Sequence, residues 1–117
     1  MRSKKKQAMR FNDGKLKLEL IPVKPMEELA RVFTYGAIKY KPEDWRKGLP
    51  WMDMLGSIER HIQKFKCGED FDGDWSNGLK TMHLANAAWG CLCLIEFYYT
   101  HKNFDNRPKG QAKYGAK

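Results

Sequence analysis

The stretch from Leu84 to Tyr99 constrains this chain more than any other. It is apolar nearly all the way round, interrupted only by Asn86 and Glu96, and it is shorter than the ~20 residues that a membrane span requires. A helix without a polar face has to be surrounded by other elements. The predicted helix over Gly78 to His101 is therefore read as the central one of a single core, which is all that 117 residues can build.

Two more helices are predicted around it. Phe11-Asn12-Asp13-Gly14-Lys15 is a turn signal. Leu16, Leu18 and Leu20 then alternate with Lys15, Lys17 and Glu19, the period of an extended segment with one buried face. From Met26 the apolar positions Met26, Leu29, Ala30, Phe33, Ala37 and Tyr40 form a helical stripe, with Pro25 ahead of it and Glu27 and Glu28 in its first turn. Gly36 inside that stripe points to a close crossing with another helix or with a ligand. A loop with Pro42, Gly48 and Pro50 follows, and Trp51, Leu55, Ile58, Ile62 and Phe65 give a second helix over Trp51 to Cys67. The expected class is all-α: three to four helices with an N-terminal extended arm, in a chain small enough to complete its burial by oligomerising.

The formal charge of +8 is carried by the ends. Residues 1–17 have a net charge of +6 and residues 101–117 of +4, while 18–100 have −2. Basic tails are solvated arms or weak polyanion binders, not a groove-reading surface. The expected organisation is a flexible basic arm over 1–10, a single all-α domain over 11–102, read below as nucleotide-binding, and a flexible basic tail over 103–117. Cys67, Cys91 and Cys93 show no CxxC spacing and read as reduced packing residues. MRSKKK leads into polar sequence instead of an apolar signal core, so a cytoplasmic location is expected.

Between the second and third helices, residues 56–86 gather most of the chemistry. Glu69, Asp70 and Asp72, with Asp74 behind them, offer hard oxygen donors suited to Mg²⁺ or Mn²⁺. An EF-hand is rejected, because the run from Phe71 to Trp75 lacks its glycine and terminal glutamate in register. Arg60, His61 and Lys64 form a basic rim able to clasp phosphate. His83 and Asn86 stack one turn apart on a helix built to be buried, where polar groups need partners. Trp45, Trp51 and Trp75 are candidates for stacking a base. Each has a plainer alternative: a solvated acidic loop, an exposed helix flank, a satisfied histidine–asparagine pair, core aromatics.

The order of short motifs adds a resemblance. Phe11-Asn-Asp-Gly-Lys15, Leu20-Ile21-Pro22, Tyr35-Gly36-Ala37-x-Lys39-Tyr40, Asp44-Trp45, Arg60-His61, Gly68-Glu69-Asp70-x-Asp72 and His83-Leu84 run across residues 10–100. Together they resemble the phage-abundant dATP/dGTP diphosphohydrolase N-terminal family. That family is similar to the all-α MazG-type pyrophosphohydrolases, which use divalent metals to split a nucleoside triphosphate into monophosphate and pyrophosphate. The resemblance implies a MazG-like bundle, with Glu69, Asp70, Asp72 and His83 as metal ligands and Glu69, Asp72 and His83 as the catalytic group. It further implies a substrate site drawing on Lys15, Lys39, Tyr40, Trp45, Arg60 and His61, with Lys64 and Asn86 beside them.

Three functions follow as expectations. The first is a metal-dependent pyrophosphohydrolase of purine deoxynucleotides using Mg²⁺ or Mn²⁺, in the host cytoplasm if phage-encoded. The second is a non-catalytic sponge that sequesters a host immune-signalling nucleotide, an anti-defence protein. Its motive is that the positions matching the carboxylate helices of MazG enzymes carry Arg60-His61-x-x-Lys64 and His83-x-x-Asn86 instead. The third is an interaction module binding RNA or DNA through its tails, although no specific nucleic-acid or membrane partner is expected.

Overall fold

The computed structural model describes residues 6–9, 14–74 and 78–109. The predicted turn at 11–13, Trp75 and most of both basic tails lie outside the described residues, as does the side chain of Asp74. The fold is mostly helical: α1 (Val23–Lys39), α2 (Trp51–Lys66) and α3 (His83–Thr100), with a two-stranded antiparallel hairpin of β1 (Phe71–Asp74) and β2 (Leu79–Met82) between α2 and α3. Short 3-10 turns occupy Leu18–Leu20, Asp44–Lys47 and Lys102–Phe104.

The central position predicted for α3 holds, since it packs against both α1 and α2. Trp51, Met54 and Ile58 project from one face of α2 at helical spacing and meet Ala87, Cys93 and Phe97 of α3. Trp45, Leu49, Trp89 and Phe104 close the edges of this core. Gly90 lets the two helices approach: a Cβ there would meet Ile58 Cγ1 at 2.5 Å.

Several expectations need correction. The leucines of 16–20 do not form an extended segment with a buried face; Leu18–Leu20 is a 3-10 turn, and all three leucines are exposed. An isolated strand leaves its backbone groups unpaired, and the described part of one chain offers it no neighbour. Helix α1 starts at Val23, ahead of the predicted Met26, because Pro25 then falls in the first turn, where its missing N–H removes no helical bond. Gly36 is not a helix crossing: a Cβ there would meet nothing within 4 Å. On α2 the predicted stripe is cut short, with Ile62 and Phe65 exposed. Of the three free cysteines only Cys93 packs inside, where burial pushes its thiol up to about 12; Cys67 and Cys91 are exposed.

The predicted acidic loop is largely the hairpin, and α3 begins at His83, not near Gly78. In the hairpin, Gly73 has a φ of 134° and a Cβ there would meet the Leu79 carbonyl oxygen and, at 2.6 Å, the Lys80 α-carbon, so no other residue fits there. The backbone N–H of His83 donates to the Asp70 carbonyl at 2.9 Å, fastening the start of α3 to the chain leaving α2. None of the described helices is long and apolar enough to cross a membrane.

The two glycines give opposite expectations. Gly90→Ala should destabilise by about 1–3 kcal/mol through overpacking against Ile58, whereas Gly36→Ala should be neutral or stabilise by about 0.5–1 kcal/mol. Urea denaturation of both variants checks this, and equal effects would contradict the packing described.

Candidate functional site

Where α2, the hairpin and α3 meet, His83 is fully buried with both ring nitrogens engaged. Its Nε2 lies 2.6 Å from Glu69 Oε2 and its Nδ1 lies 2.9 Å from His61 Nδ1. A carboxylate only accepts, so the proton sits on His83 Nε2 and is donated to Glu69. In the neutral ring Nδ1 then accepts, and the His61 Nδ1–H donates to it. Asp72 comes from β1, and one oxygen of it and a nitrogen from each histidine lie within 4.8 Å of one another. Burial holds the His61 imidazole below its ordinary 6.5; Asp72 acts in the opposite direction, while His83, Lys64 and Arg60 add to the lowering.

This donor set fits a divalent ion, although not as the sequence placed it. Two imidazoles and one carboxylate, His61, His83 and Asp72, converge. Glu69 is occupied in holding His83, and Asp70 meets this region through its backbone carbonyl while its side chain is exposed.

A cleft of about 640 Å³ lies between the second half of α1, the 41–49 loop and α3. Phe33, Trp45 and Trp89 form its aromatic wall, with Phe33 edge-on to Trp45 at 5.9 Å and to Trp89 at 6.3 Å. Lys39, Tyr40 and Lys41 line its mouth. Arg46 also lines it, but its guanidinium is paired with Glu43 and Glu96 and stacks 4.7 Å over Trp45, which holds the indole in place. Asn86 borders the cleft and donates from Nδ2 to Thr81 Oγ1 (2.7 Å) and to the Met82 carbonyl (2.9 Å), leaving its Oδ1 as an acceptor.

The hairpin joins the two regions. Thr81 lines the cleft and is the direct cross-strand partner of Asp72, and such partners carry their side chains on one face about 5 Å apart. Of the residues singled out in the sequence, Lys39, Tyr40, Trp45 and Asn86 line the cleft, and His61, Glu69, Asp72 and His83 form the adjoining cluster. Lys15, Arg60 and Lys64 are exposed and line neither. Trp51 is a core residue. Phe33, Thr81 and Trp89 were not singled out for a site. Phe33 falls in a helical stripe and Trp89 in an apolar run, the signals of packing residues, and Thr81 falls in neither.

The profile of the family described as dATP/dGTP diphosphohydrolase, N-terminal, matches residues 5–107. The chain belongs to that family. A similar protein is the dATP/dGTP diphosphohydrolase of Salmonella phage PMBT28, 31% identical over 99 residues. The match covers 85% of this chain and 32% of that relative, so the chain spans about a third of the relative's length. No solved structure gives a significant match. The matched region takes in every residue of the cleft and the cluster named above.

The His61 environment sets a pH dependence. Its folded-state pKa is depressed, so the unfolded chain takes up the proton first, and the contribution of the neutral ring is complete above about pH 6.5. Stability is expected to fall as pH drops below that value and through the depressed one, and His61→Asn should flatten the slope. Thermal melts of the metal-free protein between pH 8 and 5 measure it; a stability that rises on acidification would contradict the burial of this ring.

Proposed function

We propose that this chain is the nucleotide-handling unit of a metal-dependent pyrophosphohydrolase acting on purine deoxynucleoside triphosphates. The observation that carries the reading is the contiguity, in a member of this family, of an aromatic cleft with a histidine–carboxylate cluster centred on buried His83, across the Thr81–Asp72 pair. The activity for which the phage relative is named suggests dATP and dGTP as substrates.

In this reading the base enters between Trp45, Phe33 and Trp89, and Asn86 Oδ1, whose amide nitrogen is already tied to Thr81 and Met82, accepts from an exocyclic amine of the purine. Lys39 and Lys41 meet the phosphates at the mouth. Arg60 and Lys64, exposed on α2, add positive potential that draws anions toward the cluster. Hydrolysis adds water across the α–β phosphoanhydride and releases monophosphate and pyrophosphate. A divalent ion held by His61, Asp72 and His83 would supply Lewis acidity toward phosphate oxygens and lower the pKa of water. Glu69 keeps the His83 ring oriented and its Nε2 protonated, and the half-buried His61 and Asp72 face the route by which phosphate and water arrive.

A second copy of the chain is the partner this reading assigns to the apolar residues left exposed, among them Leu18, Leu20, Val23, Leu92 and Ile95. Light scattering of the assayed sample reads that association, and a monomeric mass contradicts it.

The function is tested by incubating the protein with dATP, dGTP and pyrimidine controls in Mg²⁺, Mn²⁺, Co²⁺ or Zn²⁺ and resolving products chromatographically. Monophosphate and pyrophosphate from the purine nucleotides are expected. Trp45→Ala should weaken nucleotide binding by about 1–3 kcal/mol, the loss of one stacking surface. Absence of turnover with every nucleotide overturns the enzyme reading, and recovery of intact bound nucleotide would then favour sequestration.

A further inference from the structure

The geometry points to a nitrogen-rich metal site, made where α2, the hairpin and α3 bring His61, Asp72 and His83 together, that selects a first-row transition ion such as Co²⁺ or Zn²⁺ over Mg²⁺, with Glu69 as its positioning residue. The inference deepens the reading above by specifying the ion, and it rests on that reading only for what the ion is used for.

Four observations support it. First, Glu69 fixes the proton of His83 on Nε2, so the nitrogen facing His61 is a lone pair, not an N–H. A carboxylate behind a ligating imidazole is the usual way a protein holds the ring's tautomer and raises its basicity. Second, the two Nδ1 atoms are 2.9 Å apart. Nitrogens bound at about 2.1 Å to one ion would be about 3 Å apart at a right angle and about 3.4 Å apart at a tetrahedral one. The pair is thus already close to the spacing an ion requires. In the metal-free protein the His61 Nδ1–H fills this gap; when an ion enters, that proton belongs on His61 Nε2 and both Nδ1 lone pairs face the ion. Third, Asp72 is the one carboxylate of the set, with an oxygen within 4.8 Å of a nitrogen of each ring, so the set is two nitrogens to one oxygen. Imidazole suits Zn²⁺, Co²⁺ and Ni²⁺, whereas Mg²⁺ demands oxygen ligands and dehydrates reluctantly. Fourth, His83 is sealed from solvent while His61 and Asp72 are half-buried, which gives the ion a way in from one side and leaves positions open there.

The set shares Asp72 and His83 with the ligands expected from the sequence and differs in the others. Glu69, Asp70 and Asp72 look like one oxygen cluster along the chain, but the start of the hairpin sends them to three tasks: holding an imidazole, fastening the start of α3 and facing the histidine pair.

The test uses the full chain, stripped with chelator and titrated with Co²⁺, Zn²⁺ and Mg²⁺ without nucleotide, read by calorimetry and by the visible absorption of bound Co²⁺. One Co²⁺ or Zn²⁺ per chain is expected, at least a hundredfold tighter than Mg²⁺. Asp72→Asn should weaken Co²⁺ binding and change its spectrum. Glu69→Ala should weaken Co²⁺ binding about 10–100-fold, and Glu69→Gln, which still accepts from Nε2–H and so keeps His83 paired, should restore part of it. No stoichiometric Co²⁺ binding, or equal affinity for Mg²⁺, overturns the site and leaves the histidines as a hydrogen-bonded pair only. Unchanged Co²⁺ affinity in Glu69→Ala overturns the positioning role. Nucleotide turnover in Mg²⁺ by a protein that binds no Co²⁺ would sink this inference while leaving the proposed function standing.

Discussion

A histidine ring with no exposed surface has to find a partner for each nitrogen, and His83 finds them on two different parts of the chain. His61 comes from the last part of α2, and Glu69 comes from the residues just past its end. Meeting both conditions fixes how far α2 runs alongside α3 and where the chain must turn between them. Leaving either nitrogen unpaired would cost about 1–3 kcal/mol, a large share of what a domain of this size has to spare. The apolar contacts agree with that arrangement: Gly90 opens just enough room for Ile58, so the packed part of the crossing and its polar end select the same geometry.

The hairpin is what turns a helix crossing into a candidate site. It fastens the first residue of α3 through the Asp70 carbonyl, carries Asp72 to the histidines and presents Thr81, opposite Asp72, to the cleft beyond. Asn86, tied to Thr81 and to the Met82 carbonyl, has its amide orientation set before any ligand arrives. A rigid cluster and a preoriented acceptor are features that binding sites use to lower the entropic cost of holding a ligand.

Much of this was legible in the sequence, for identifiable reasons. Helical periodicity gave α2 almost to the residue, and the all-round apolarity of 84–99 gave α3 its central place. The crowding of polar residues between them marked the right region, because polar groups on a buried helix imply partners somewhere near. The hairpin was hidden: Phe71-Asp72-Gly73-Asp74 carries no β-branched residue, and its pairing is set by backbone contacts that only the close approach at Gly73 permits. Without the hairpin, the acids could be grouped only by their distance along the chain. The cleft was half-legible: Lys39, Tyr40 and Trp45 carry a chemical signature, while Phe33 and Trp89 look like any core aromatic until the space between them is seen.

The arrangement rests on where one proton sits. Long-range ¹H–¹⁵N correlation spectra of the metal-free protein at neutral pH report the tautomer of each imidazole. The structure predicts His83 with its proton on Nε2 and its Nδ1 as the hydrogen-bonded acceptor from His61. A His83 protonated on Nδ1 alone, or one averaging between tautomers as in free solution, would mean that Glu69 does not hold the ring and that the cluster is not built as described.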